Sequence, residues 1–139
     1  MDSHKSIGLT KTVGYQVGVR KTFPISQQQA WSLITAEEGL NAWLGGGGNI
    51  ILKPGHQYRT TVGTGEIRIV KPLLQLRLTW KKEEWQRPST IQIRILSKEN
   101  NKTTISFHQE HLANQQIREE MKRYWESRLA SIEESIQKM

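Results

Sequence analysis

Hydrophobic and polar positions alternate along this chain, and the period of the alternation changes several times. In VGYQVGVRKTF (13–23) the odd positions Val13, Tyr15, Val17, Val19 and Phe23 are apolar, and the even ones are Gly, Gln, Arg or Thr. A period of two predicts a half-buried strand. FPISQQQAWSLITA then changes to helical spacing. Ser26 with Gln29 three residues on forms a capping-box pattern, and Ala30, Trp31, Leu33 and Ile34 share one helical face. Thr35 with Glu38 repeats that pattern and predicts a second short helix burying Leu40, Trp43 and Leu44.

Four glycines, Gly45, Gly46, Gly47 and Gly48, follow Leu44. They are expected to end the second helix in the left-handed conformation of a C-cap and to release the chain toward the next strand. Beyond them HQYRTTVG turns Tyr58, Thr60 and Val62 inward, Gly63 to Gly65 reads as a turn, and EIRIV turns Ile67 and Ile69 inward. LLQLRLTWKK sets Leu74, Leu76, Leu78 and Trp80 on one face. Ile91, Ile93 and Ile95, then Thr103, Ile105 and Phe107, do the same in two further strands. These strands predict an antiparallel meander. Asn114 caps a last, long helix with Ile117, Met121, Tyr124, Trp125, Leu129, Ile132 and Ile136 at three- and four-residue intervals. The expected fold class is α+β: a curved antiparallel sheet wrapped around the C-terminal helix, with two short helices after the first strand.

A chain of 139 residues fits a single domain. Residues 1–12 read as a flexible N-terminal segment. No apolar core follows a basic start, and nowhere do 18 apolar residues run together, so a cytoplasmic protein without membrane insertion is expected. With no cysteine there is no disulfide, thiolate nucleophile or Cys-ligated zinc. The net charge of +7 suits an anionic partner. Its basic residues are nevertheless spread over alternate strand positions rather than clustered, which argues against a specific nucleic-acid role.

The residues FPISQQQAWSLIT, LNAWLG, GTGEIRIVKPLLQLRLTW, TTISFHQEHL and YWESRLASIEESI, in this order and spacing, resemble the helix-grip (START-like, SRPBCC) superfamily. The branch they resemble is named after the activator of the ninety-kilodalton heat-shock chaperone ATPase. The likeness runs from about Val13 to Ile136. It implies one helix-grip domain with an apolar cavity between sheet and C-terminal helix, and the branch name implies a co-chaperone role. The inward aromatics Trp43, Tyr58, Trp80, Phe107, Tyr124 and Trp125, with Met121, are then the candidate cavity lining. Tyr58, Tyr124 or Arg128 is the candidate polar anchor.

Catalytic chemistry finds little support. The glycine tract lacks the Lys-Ser or Lys-Thr of a phosphate loop and leads into a strand. That leaves Gly45, Gly46, Gly47 and Gly48 as a connector or as a mobile entry loop at a cavity mouth. His108 and His111 point to opposite faces if their strand continues, so no metal is expected. Glu37-Glu38 and Glu83-Glu84 read as solvated pairs, and Ser26 is accounted for by capping. No cofactor is indicated. The leading expectation is a non-enzymatic domain that holds a small hydrophobic or amphipathic ligand. The alternative is a protein-interaction module, a chaperone partner or homodimer, using the basic outer face of the sheet (Arg20, Arg77, Arg94). A cavity enzyme is a third reading, for which no residue stands out as base.

Overall fold

The computed structural model describes residues 9–10, 14–47 and 49–139. The rest of the 1–12 segment, Val13 and Gly48 lie outside the described residues. In chain order the elements are β1 (Leu9–Thr10), β2 (Gly14–Phe23), α1 (Gln27–Thr35), α2 (Glu37–Leu44), β3 (Gln57–Arg59), β4 (Gly63–Lys71), β5 (Gln75–Lys82), β6 (Ser89–Lys98), β7 (Lys102–Leu112) and α3 (Gln115–Gln137). The strands form one antiparallel sheet in the order β1-β2-β7-β6-β5-β4-β3, and α3 packs across β2 and β7. This is an α+β helix-grip fold.

Local chemistry accounts for most element boundaries. Ser26 accepts from the Gln29 amide at 3.0 Å while the Gln29 side chain accepts from the Ser26 amide at 2.9 Å, which closes the capping box of α1. Asn114 caps α3 by accepting from the Ile117 amide at 2.8 Å. The β6–β7 hairpin turns at Asn100 and Asn101, both at positive φ (60° and 57°), where asparagine is among the better-tolerated residues.

The interior is continuous. Ile67, Leu76, Leu78, Ile91, Ile93, Ile95, Ile105 and Phe107 cover the inner face of the sheet and are at most 2% exposed. Met121, Trp125 and Leu129 of α3 meet them, and Ala30, Ile34, Leu40, Trp43 and Leu44 of α1 and α2 complete the core. Lys21–Glu133 and Lys82–Glu120 ion pairs tie the outer side of α3 to β2 and β5.

Five expectations are corrected. The second capping box is absent. Thr35 ends α1 and donates its hydroxyl back to the Trp31 carbonyl at 2.7 Å, so α2 starts behind Ala36 with no side-chain cap. Glu37 and Glu38 instead place negative charge in its first turn, where the helix dipole favours it. Gly63 to Gly65 is not a turn but the start of β4; the turn is Thr60 to Val62, which leaves Val62 exposed. A bulge between Ile67 and Ile69 shifts the register by one. Val70 therefore stands opposite buried Leu76, and Ile69 stands opposite Arg77 on the outer side. Leu74 belongs to the β4–β5 turn, where its amide donates to the Lys71 carbonyl, and is 54% exposed.

Candidate functional site

The predicted lining residues are divided by the fold. Trp43, Phe107, Tyr124 and Trp125 form one ring cluster. Phe107 stacks on Trp125 with centroids 4.7 Å apart and planes 20° from parallel, and Tyr124 meets Trp125 edge-on at 5.0 Å. Trp43 lies 6.2 Å from Trp125, and its indole N–H donates to the Ile34 carbonyl at 2.8 Å. Met121 is buried one helical turn before Trp125. Trp80 forms a separate T-shaped pair with Trp85 at 5.3 Å, and Tyr58 donates its hydroxyl to the Thr79 carbonyl. Between sheet and α3 these rings pack on one another.

Burial acts on both tyrosines. It pushes the Tyr58 phenol far above its ordinary value, and it raises Tyr124, which Arg128 beside it partly pulls back. The Tyr124 hydroxyl donates to the Trp43 carbonyl, so both phenols serve as neutral donors.

One open space lies beside the ring cluster. A groove of about 740 Å³ runs between α1–α2 and the C-terminal half of α3. Trp43, Phe107, Leu33, Ile34 and Ile132 give it apolar surface, and Ser32, Ser131 and Ser135 border it with hydroxyls. Arg128 projects from α3 into this wall. Its Nη1 donates to the Ala42 carbonyl at 3.0 Å, and its guanidinium lies 5.6 Å from the Tyr124 ring centroid. Of the lining expected from sequence, Trp43 and Phe107 reach the groove, whereas Tyr58, Trp80, Met121, Tyr124 and Trp125 do not border it.

The glycine tract is held against the β3–β4 turn. Thr60 donates its hydroxyl to the Leu44 carbonyl at 3.1 Å and the Thr61 amide donates to the Gly46 carbonyl at 2.8 Å. Gly45 has φ 96° and ψ 144°, an extended mirror conformation rather than the left-handed helical C-cap expected, and one essentially confined to glycine. A Cβ there would stand 2.6 Å from Val62 Cγ2. Gly47 also has a positive φ (88°), and a Cβ on it would stand 2.7 Å from Thr61 Cγ2. None of Gly45, Gly46 and Gly47 borders the groove; Gly45 and Gly46 lie against the β3–β4 turn. Gly48, the last of the four, lies outside the described residues.

On the outer face of the sheet, strand register places Arg20 and Arg94 on either side of Ser106, with Arg77 in the neighbouring row. Arg77 pairs with Glu110 at 3.5 Å, whereas among the described residues neither Arg20 nor Arg94 joins an ion pair. His108 bonds the Gln16 side chain at 2.8 Å, and His111 is exposed at positive φ (65°).

The family model described as Activator of Hsp90 ATPase homolog 1-like protein matches residues 24–137. The chain belongs to that family. Among solved structures it is similar to CalU16 from Micromonospora echinospora, with 20% identity, 87% of this chain and 73% of that chain covered, and a TM-score of 0.75. It is similar to the Aha1 dimer from Colwellia psychrerythraea at 13% identity, with 86% and 94% covered and a TM-score of 0.72. An HSP90 activator from Plasmodium falciparum matches at 16% identity over 70% of this chain and 74% of its own, with a TM-score of 0.62. At such identities the likeness is one of fold. No curated protein matches the chain.

In this Hsp90-activator-homolog domain the groove walls are what sequence reasoning missed. Ser32, Ser131 and Ser135 lie on helix faces that read as solvated, and nothing in either helix's own periodicity says that the two faces look at each other. Arg128 was not missed: it is one of the three anchor candidates read from the sequence, and it borders the groove. It follows Tyr124 by four positions, the spacing at which helix side chains meet. Among the described residues no helix is long and apolar enough to cross a membrane.

Proposed function

We propose that this family member is a non-enzymatic binding domain that takes a small hydrophobic or amphipathic ligand in the groove between α1–α2 and α3. The groove itself carries this reading: its volume of about 740 Å³ lies within the range of small-molecule sites, roughly 300 to 1,000 Å³, and it combines apolar surface with a few polar groups. Trp43 and Phe107, the two rings of the cluster that reach the groove, supply aromatic surface for an apolar chain. Among the described residues no hydrogen bond joins a serine hydroxyl of the groove to Glu38 or Lys138, and the binding reading does not call on one. Titration with 8-anilinonaphthalene-1-sulfonate, whose emission rises in apolar sites, tests the assignment. Saturable binding should disappear in Ser131→Trp, which fills the groove from an α3 position, while the melting temperature is kept. Binding unaffected by that substitution would place the ligand elsewhere.

A second reading rests on a different observation, that among the described residues Arg20 and Arg94 on the outer sheet face have no carboxylate partner. It makes the domain a protein-interaction module for an acidic partner. One relative is an HSP90 activator, and contact with a chaperone of that kind is the form this reading takes.

A further inference from the structure

We infer that the groove selects an anionic amphiphile, with its apolar chain over Trp43, Phe107 and Ile132 and its carboxylate or sulfate held by Arg128; this rests on the groove reading above. The argument begins with what Arg128 already does. Nη1 is committed to the Ala42 carbonyl. Nε is buried and has no hydrogen-bond partner. Nη2, by contrast, is not buried and among the described residues takes part in no hydrogen bond, so its N–H groups are free to meet a carboxylate or sulfate oxygen. The bond to Ala42 therefore orients the side chain and leaves Nη2 for another group.

Charge points the same way. Among the described residues Arg128 has no carboxylate partner, although five ion pairs form elsewhere. A partly desolvated cation without a counter-charge is costly, and an incoming anion offsets that cost more than a neutral ligand does. Lys138 adds a second positive group to the groove wall, against Glu38 from α2. The Tyr124 ring under the guanidinium holds the charge in place without neutralising it. Seated this way, the head group lies beside Ala42 and the chain extends over the ring cluster and Ile132.

Laurate, 1-dodecanol and dodecyltrimethylammonium, all below their micellar concentrations, share one chain and differ in head charge, so calorimetric titration of the full chain with each reads the preference directly. Laurate is expected to bind about tenfold or more tighter than 1-dodecanol, with the cation weakest. Arg128→Met should bring laurate down to the level of 1-dodecanol while leaving 1-dodecanol unchanged, and Arg128→Lys should fall between. If Arg128→Met does not fold, Arg128→Lys and the head-group ranking of the unmodified chain still decide. Equal binding of laurate and 1-dodecanol overturns the anionic inference and leaves the groove reading standing. A laurate preference that survives Arg128→Met overturns the role of Arg128. Binding of none of the three removes the groove reading and this inference with it.

Discussion

Trp125 donates its indole N–H to the Gln109 side-chain oxygen at 2.8 Å, deep between α3 and β7, where Trp125 is 1% and Gln109 0% exposed. The Gln109 amide nitrogen donates in turn to Ser89 Oγ at 2.8 Å, and that hydroxyl donates to the Trp80 carbonyl at 2.7 Å. A polar chain thus crosses an otherwise apolar core and fixes the indole against the sheet. Gln109→Leu strands the indole N–H, and an unmet buried donor costs roughly 1 to 3 kcal/mol. Urea unfolding should show a loss of that size. The double variant Gln109→Leu, Trp125→Phe should lose less than the sum of the singles, because the second change removes the stranded donor. Additive losses would mean that the two side chains are not coupled.

The glycines are not equivalent, and their substitutions should separate. At Gly65 a Cβ would collide with the Thr79 carbonyl oxygen, which is backbone, and with the Tyr58 hydroxyl. Gly65→Ala should cost about 2 to 4 kcal/mol, combining overpacking with the loss of the Tyr58–Thr79 bond. At Gly46 the nearest atom is Asn41 Cγ at 3.9 Å and φ is not positive. Gly46→Ala should be neutral or stabilise by up to about 1 kcal/mol through the unfolded chain. Chemical denaturation of the two variants side by side checks the contrast, and equal losses would contradict it.

This difference also marks where sequence periodicity stops being informative. Alternation located β2, β5, β6 and β7, because a strand buried on one face must place its apolar residues at every second position. It failed at β4, since a bulge is one residue of register and Ile67, Ile69 and Val70 are all β-branched. Gly63 and Gly65 suggested a turn because the commonest reason for glycine is backbone freedom. Here the reason is close approach of the Lys81 and Thr79 carbonyls across the strand pair. Ring residues expected around one cavity are shared between two clusters, a consequence of three-dimensional packing that facing direction alone does not encode.

Buried phenols make stability sensitive to alkali. An unfolded tyrosine ionises near pH 10, whereas burial holds the Tyr58 proton to far higher pH. The folded state then binds more protons than the unfolded one above pH 10. The contribution is fully present below pH 10 and is lost as pH rises, by about 1.4 kcal/mol per pH unit for a phenol that stays protonated when folded. Unfolding midpoints between pH 9 and pH 11 should fall more steeply for the unmodified chain than for Tyr58→Phe. Parallel curves would mean that Tyr58 ionises as easily folded as unfolded.

Arg20 and Arg94 flank Ser106 across three adjacent strands, so their backbones are about 10 Å apart, two strand spacings. Both are exposed and, among the described residues, neither has a carboxylate partner, and both emerge from a sheet, which keeps the spacing constant. Surface charges of this kind contribute little to folding, within about 0.5 kcal/mol, but they attract an acidic surface over roughly a Debye length, about 8 Å at physiological salt. Arg20→Glu with Arg94→Glu should leave the melting temperature nearly unchanged. It should weaken association with an acidic partner, such as a chaperone of the HSP90 kind, by slowing the on-rate and flattening its salt dependence. Surface plasmon resonance at low and moderate salt separates this from the groove. If both the on-rate and its salt dependence survive the double charge reversal, the outer face is not where that partner binds.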